Sequence, residues 1–158
     1  MSKVPFLASK VMDVDSGNPF FQRDRINEVN GQKIGIFSLL SPEVFSGLSD
    51  PRKKGWVIRD PFKMVQEMVK ELGPQTDLIL LLSHPGYPKD VNLTQKISGI
   101  HLMVGGAVYL SCPTVFKDTI VLQTSSKGMY TARLHLTLLN HKAPFYNIKT
   151  KRSLEDHL

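Results

Sequence analysis

Five histidines and a single cysteine are the side chains best suited to metal or nucleophilic chemistry in this chain of 158 residues, and position singles out one of them. His84 follows the aliphatic run Leu78 to Leu82 and precedes Pro85 and Gly86. In an α/β sheet, ligands are held beyond the C-terminal ends of parallel strands, so an imidazole there is placed for metal binding or proton transfer. A second such end, Gly105-Gly106-Ala107, follows the run Ile100 to Val104. Were the two strands neighbours, about 5 Å apart, both ends would face one crevice. The same histidine also suits a purely structural role, donating and accepting one hydrogen bond each.

Other chemistries fail on geometry or on missing signatures. Ser83 and His84 are adjacent and point to opposite sides of a strand, so they cannot pair as nucleophile and base. Neither GxGxxG nor GxxxxGK[ST] occurs, which removes the usual dinucleotide and P-loop signatures. Gly105-Gly106 by itself also suits a tight turn. His101 and His135 fall inside strand patterns and read as half-buried imidazoles, while His141 and His157 lie in a polar terminal stretch. Cys112, being alone, excludes an internal disulfide framework and any multi-cysteine metal site.

The elements that must position His84 can be read from pattern. Val4 to Val11 reads as a short early strand, followed by the turn cluster Ser16-Gly17-Asn18-Pro19. Asn30-Gly31 between Asp24 to Val29 and Lys33 to Leu39 predicts a two-residue hairpin, because a type I′ turn needs positive φ at both central residues. Leu40 to Trp56, with its prolines, glycines and serines, reads as a long connection. Asp60 and Pro61 open the clearest helix, and Phe62, Val65, Met68, Val69 and Leu72 give it one apolar stripe before Gly73-Pro74 ends it. Asp77 to Ser83 reads as a strand buried on both faces. A shorter helix starts at Asp90 or Asn92 and ends near Ser98, and Ile100 to Val104 is a second buried strand, which together make a βαβ unit. Thr119 to Thr124 and Met129 to Leu138 read as antiparallel strands joined by Ser125 to Gly128, with a polar basic tail beyond.

At 41% hydrophobic and 22% charged residues the composition is that of one soluble globular domain. The run Leu78 to Leu82 is far short of the roughly 20 residues a bilayer span needs, so no membrane role is expected. The apolar stretch of MSKVPFLASK is broken by Pro5 and does not read as a signal peptide, which makes the chain cytoplasmic as written and exported only if an upstream segment is missing. A net charge of +6 could attract nucleic acid, but Arg52-Lys53-Lys54 and Lys142, Lys149, Lys151 and Arg152 have no interleaved aromatics. A solvated surface is the expectation, with no nucleic-acid partner.

Taken together, VPFLASKV (Val4 to Val11), INEVNGQKIGIFSLL (Ile26 to Leu40), LILLLSHPG (Leu78 to Gly86), ISGIHLMVGGA (Ile97 to Ala107) and DTIVLQTSSKGMYTARLHLTL (Asp118 to Leu138) resemble the C-terminal half of the metallophosphatase domain of 5′-nucleotidases and calcineurin-like metallophosphoesterases. The resemblance implies an α/β fold: half of a four-layer αββα sandwich, with a mixed sheet in which a βαβ unit is followed by antiparallel strands. Residues 1–139 would form the partial domain and 140–158 a polar basic tail. It also implies two divalent metals, manganese, zinc or similar, that activate a water for phosphate-ester hydrolysis. His84 matches the Gly-His ligand of the family, with Ser83 for the first glycine. Ala107 occupies the Gly-Gly-His position, Tyr109 the site two residues on where His, Gln or Asn is usual, and Lys10 stands where an asparagine is usual. The family's Asp-x-His, Gly-Asp and Gly-Asn-His motifs do not occur.

A methyl group cannot donate to a metal, and one imidazole cannot hold two cations. The expectation is therefore a 5′-nucleotidase-like phosphate-monoester hydrolase domain that is incomplete or inactive as this chain alone and holds no dinuclear metal pair by itself. Its partner would be the missing N-terminal half-domain or another chain covering the exposed sheet edge, and its substrate a phosphate ester. The alternative is a degenerate, non-catalytic domain acting as an interaction or structural module. A third reading places one metal on His84 and a nearby carboxylate such as Asp90.

Overall fold

A computed structural model describes residues 6–41, 43, 55–106, 113–123, 130–137 and 145–152. The chain divides into two compact units, Met1–Leu82 and Ser83–Leu158.

In the first unit, β2 (Asp24–Val29) and β3 (Gln32–Leu39) pair antiparallel with Val29 opposite Gln32, leaving Asn30 and Gly31 as the loop. Their φ values of 52° and 76° are those the Asn-Gly signal requires. β5 (Leu78–Ser83) lies beside β3, in the order β2-β3-β5. The starts of β3 and β5 are tied by Lys33 N–H donating to the Asp77 carboxylate and Asp77 N–H donating to the Lys33 carbonyl, both at 2.8 Å. Helix α1 (Pro61–Leu72) begins as expected, with the Asp60 side chain accepting from the Lys63 amide at 2.9 Å. Met64, Val65, Met68 and Leu72 are buried, while Phe62 and Val69 sit half-buried at the margin of the stripe. The end of the helix closes tightly on β3, where a Cβ at Gly35 would meet Thr76 Cγ2 at 3.1 Å and Leu72 Cδ1 at 3.3 Å.

The early strand differs from expectation. Leu7 makes a single bridge to Gln22, and β1 runs over Val11–Asp13, paired antiparallel with β4 (Trp56–Ile58). The Ser9 hydroxyl explains the break: it bonds the Arg23 carbonyl and accepts from the Ser38 amide, taking up backbone groups that a longer strand would have paired. Most of the connection from Leu40 to Trp56 lies outside the described residues.

In the second unit, α2 (Tyr87–Lys96) starts earlier than the sequence suggests, directly after Gly86. Pro88 is compatible with a first helical turn, where its missing N–H has no partner to lose. β6 (Leu102–Gly105) pairs parallel with β8 (Thr119–Gln123), in the order β6-β8-β7. β7 (Thr114–Phe116) forms a hairpin with β8 around Lys117 and Asp118, and Lys117 has φ 51° without any glycine to announce the turn. All of β8 is buried, and Leu93, Ile97, Ile100, Leu102 and Met103 are the other buried apolar residues of this unit among those described.

Two terminal expectations change. β9 (Tyr130–Thr137) pairs with β10 (Phe145–Arg152) rather than with β8, and β10 occupies part of the stretch expected to be a polar tail. Phe145, Tyr146, Ile148 and Thr150 are strand formers whose signal is obscured by the basic residues between them. The expected turn Ser125 to Gly128 lies outside the described residues.

Candidate functional site

His84 is exposed, one residue beyond β5, in the turn Ser83-His84-Pro85-Gly86 that enters α2. Gly86 takes φ 94°, in the left-handed region that favours glycine, and its carbonyl accepts from the Lys89 and Asp90 amides at 3.1 and 3.0 Å. The sequence therefore folds here into an abrupt strand-to-helix reversal with the imidazole at its tip.

Beneath the turn lies a buried polar cluster. Ser83 Oγ donates to Asp90 Oδ1 at 2.5 Å and Gln123 Nε2 donates to Asp90 Oδ2 at 2.6 Å. Asp90 is 1% exposed, and its burial raises its pKa against the opposing pull of those two hydrogen bonds. Gln123 was not singled out by sequence. Its signal is a lone amide closing the apolar run Ile120-Val121-Leu122, the pattern of a strand that ends on a buried polar contact. Of the other histidines, His101 is half-buried and held below its ordinary pKa by desolvation, with Asp118 opposing, and His135 is exposed on β9. Ala107, Tyr109, Cys112, His141 and His157 lie outside the described residues.

No family model matches the chain. The trifunctional nucleotide phosphoesterase protein YfkN of Bacillus subtilis is 28% identical over 114 residues, covering 68% of this chain and 8% of that protein. A 5′-nucleotidase of Diplobatis ommata is 33% identical over 88 residues, covering 55% of this chain and 15% of that protein. Among solved structures, the sulfate thiohydrolase SoxB of Thermus thermophilus superposes with a TM-score of 0.86 at 22% identity, covering 95% of this chain and 28% of that one. The chain has the fold of a partial metallophosphatase domain. It spans less than a third of the length of each of these proteins.

A metallophosphatase domain implies divalent metals, and the donors among the described residues do not fit a pair of them. Among the described residues no three His, Cys, Asp or Glu side chains converge as a group that could hold a metal. The carboxylate nearest in sequence to His84 on the helix side, Asp90, has both oxygens occupied by neutral donors in a buried cluster. Asp90 thus belongs to the buried cluster, and no group of three donors that includes it and His84 converges among the described residues. No helix among the described residues is long and apolar enough to cross a membrane.

Proposed function

We propose that this chain supplies one half of a phosphate-monoester hydrolase domain of the 5′-nucleotidase type, and that it does not hydrolyse esters on its own. The observation that carries the reading is the isolation of His84: an exposed imidazole at a strand end, in a metallophosphatase fold, without a converging donor set among the described residues. In the assembled domain His84 contributes one imidazole ligand, and the carboxylates and further ligands come from residues outside this sequence. The homologues are named for nucleotide phosphoesters, which supports a nucleotide or related monoester as substrate.

The partner in this reading is the complementary half-domain, as a separate chain or a further stretch of the same one. A surface suited to it surrounds the β1–β4 ribbon, where Phe6, Val14, Phe20, Phe21 and Val57 are all more than two-fifths exposed. Phe20 packs edge-on to Phe21 at 5.1 Å and stacks near Trp56 at 6.3 Å, so the patch is contiguous in part. Clusters of this kind are uncommon on surfaces left bare in solution.

A second reading, a non-catalytic interaction module, is favoured by Ala107 and Tyr109, which stand at two family ligand positions. One experiment separates the two. The chain is mixed with the N-terminal half of a relative's metallophosphatase domain carrying Asp-x-His, Gly-Asp and Gly-Asn-His, and manganese-dependent phosphate release from a 5′-nucleotide is measured. Release by the mixture alone, lowered at least about tenfold by His84→Ala, supports the proposal. A stable complex without release points to the module, and release by this chain alone that survives His84→Ala contradicts both.

A further inference from the structure

We propose that Asp90 is a positioning residue: it fixes the Ser83–Gly86 turn, and with it the direction of the His84 imidazole, by tying the ends of two strands to the first turns of α2. The functional sense of this inference rests on His84 being the group the chain contributes, as argued above; its structural content does not.

Asp90 holds the turn from both sides. On one side its carboxylate accepts from the hydroxyl of Ser83, the last residue of β5; on the other its amide donates to the carbonyl of Gly86. His84 and Pro85 are the two residues between those anchors, so the arc they can sweep is set by one residue. The second carboxylate oxygen accepts from Gln123, the last residue of β8, which keeps Asp90 from swinging away with the helix. Gly105, the last residue of β6, leaves the space this needs: a Cβ there would stand 3.0 Å from Gln123 Nε2 and 3.2 Å from the Ser83 carbonyl. Ser83 and Gln123 thus meet at a single buried carboxylate, with Gly105 beside them.

Stability alone does not account for such a choice. Ser83, Asp90 and Gln123 are 7%, 1% and 2% exposed, and an acid buried among neutral donors is retained only at a desolvation cost that an apolar side chain would avoid. What a carboxylate offers and a leucine does not is two directional acceptors, and both are used here.

The test follows the full 158-residue chain by NMR without metal or substrate, reading the amide order parameters of His84 and Gly86 and the His84 ring correlation. In Asp90→Leu the order parameters are expected to fall from about 0.85 to below about 0.6, with the ring signal moving to its solvent-averaged position. Asp90→Asn is expected to retain both signals. Its Oδ1 still accepts from Ser83, and its amide can donate to Gln123 Oε1, which is buried without a hydrogen-bond partner and becomes available when the Gln123 amide rotates. Leu93→Ala, which opens a cavity on the same helix and leaves every hydrogen-bonding member of the cluster in place, is expected to lower stability and retain both signals. Wild-type signals in Asp90→Leu would overturn the inference, as would equal loosening in Leu93→Ala or in Asp90→Asn. Should Asp90→Leu fail to fold, Ser83→Ala decides instead: loosening of residues 84 to 86 supports the inference and unchanged signals refute it. A reconstituted domain that releases no phosphate would leave all of these signals as they are, so the two proposals fail separately.

Discussion

The two helices of this chain are built on different chemistry. α1 has a side-chain N-cap, an inward face of Met64, Val65, Met68 and Leu72, and charges kept outward in ion pairs such as Arg59 with Glu67. α2 has no side-chain cap, enters from a positive-φ glycine, and buries Asp90 and Thr94 beside Leu93. The difference separates two tasks. α1 closes a core by apolar burial, which tolerates small rotations, whereas α2 is oriented by hydrogen bonds that fail when displaced by an ångström. The histidine with functional promise sits at the entrance to the second kind of helix.

Substitutions can break this comparison, beginning with the largest effect. Met68→Ala, fully buried on α1, is expected to cost about 2–5 kcal/mol in chemical denaturation while leaving the NMR signals of residues 84 to 86 intact. Asp90→Leu is expected to cost about 1–3 kcal/mol, the loss at its two orphaned donors being offset in part by removal of a buried carboxylate, and unlike Met68→Ala to disturb the turn. Asp60→Ala removes the cap of α1 and should lower stability by about 1 kcal/mol, an effect with no counterpart at Gly86 because α2 has no side chain to lose there.

The pH dependence sharpens the contrast through its sign. Burial raises the Asp90 pKa above its ordinary 3.8, so the native state binds the proton more tightly than the unfolded chain. Its contribution is present in full below the unfolded value and is lost as pH rises through the folded one. Glu67 behaves oppositely: its hydrogen bonds from Arg59 lower its pKa, so its contribution is present above the unfolded value and lost on acidification. Melting curves between pH 3 and pH 7 should therefore show Asp90→Asn gaining relative to wild type as pH rises, and Glu67→Gln losing slightly. The smallest expected change is for Arg59→Ala, at most about 1 kcal/mol, since both partners of that pair are more than a third exposed.

How much of this was legible in the sequence follows from where the information lies. The β2–β3 hairpin and α1 were readable because their signals, Asn30-Gly31 and Asp60-Pro61 with an apolar stripe, are local. The β7–β8 hairpin was not, because Lys117 adopts a turn conformation that its residue type does not advertise. β10 was hidden by basic residues that dominate its composition, and β1 was displaced by the side-chain hydrogen bonds of Ser9. For the site, His84 was visible as a polar residue ending an aliphatic run. The role of Asp90 was not, because its partners Ser83 and Gln123 are 7 and 33 residues away and only the fold brings them together.

We propose that this chain by itself holds no dinuclear metal pair, and its metal stoichiometry decides the matter. The chain would be equilibrated with manganese or zinc, passed through gel filtration in metal-free buffer, and its metal content measured beside that of His84→Ala. Less than one retained equivalent is expected, with no drop on substitution beyond loss of a weak site. Two tightly retained equivalents in the unmodified chain would contradict it.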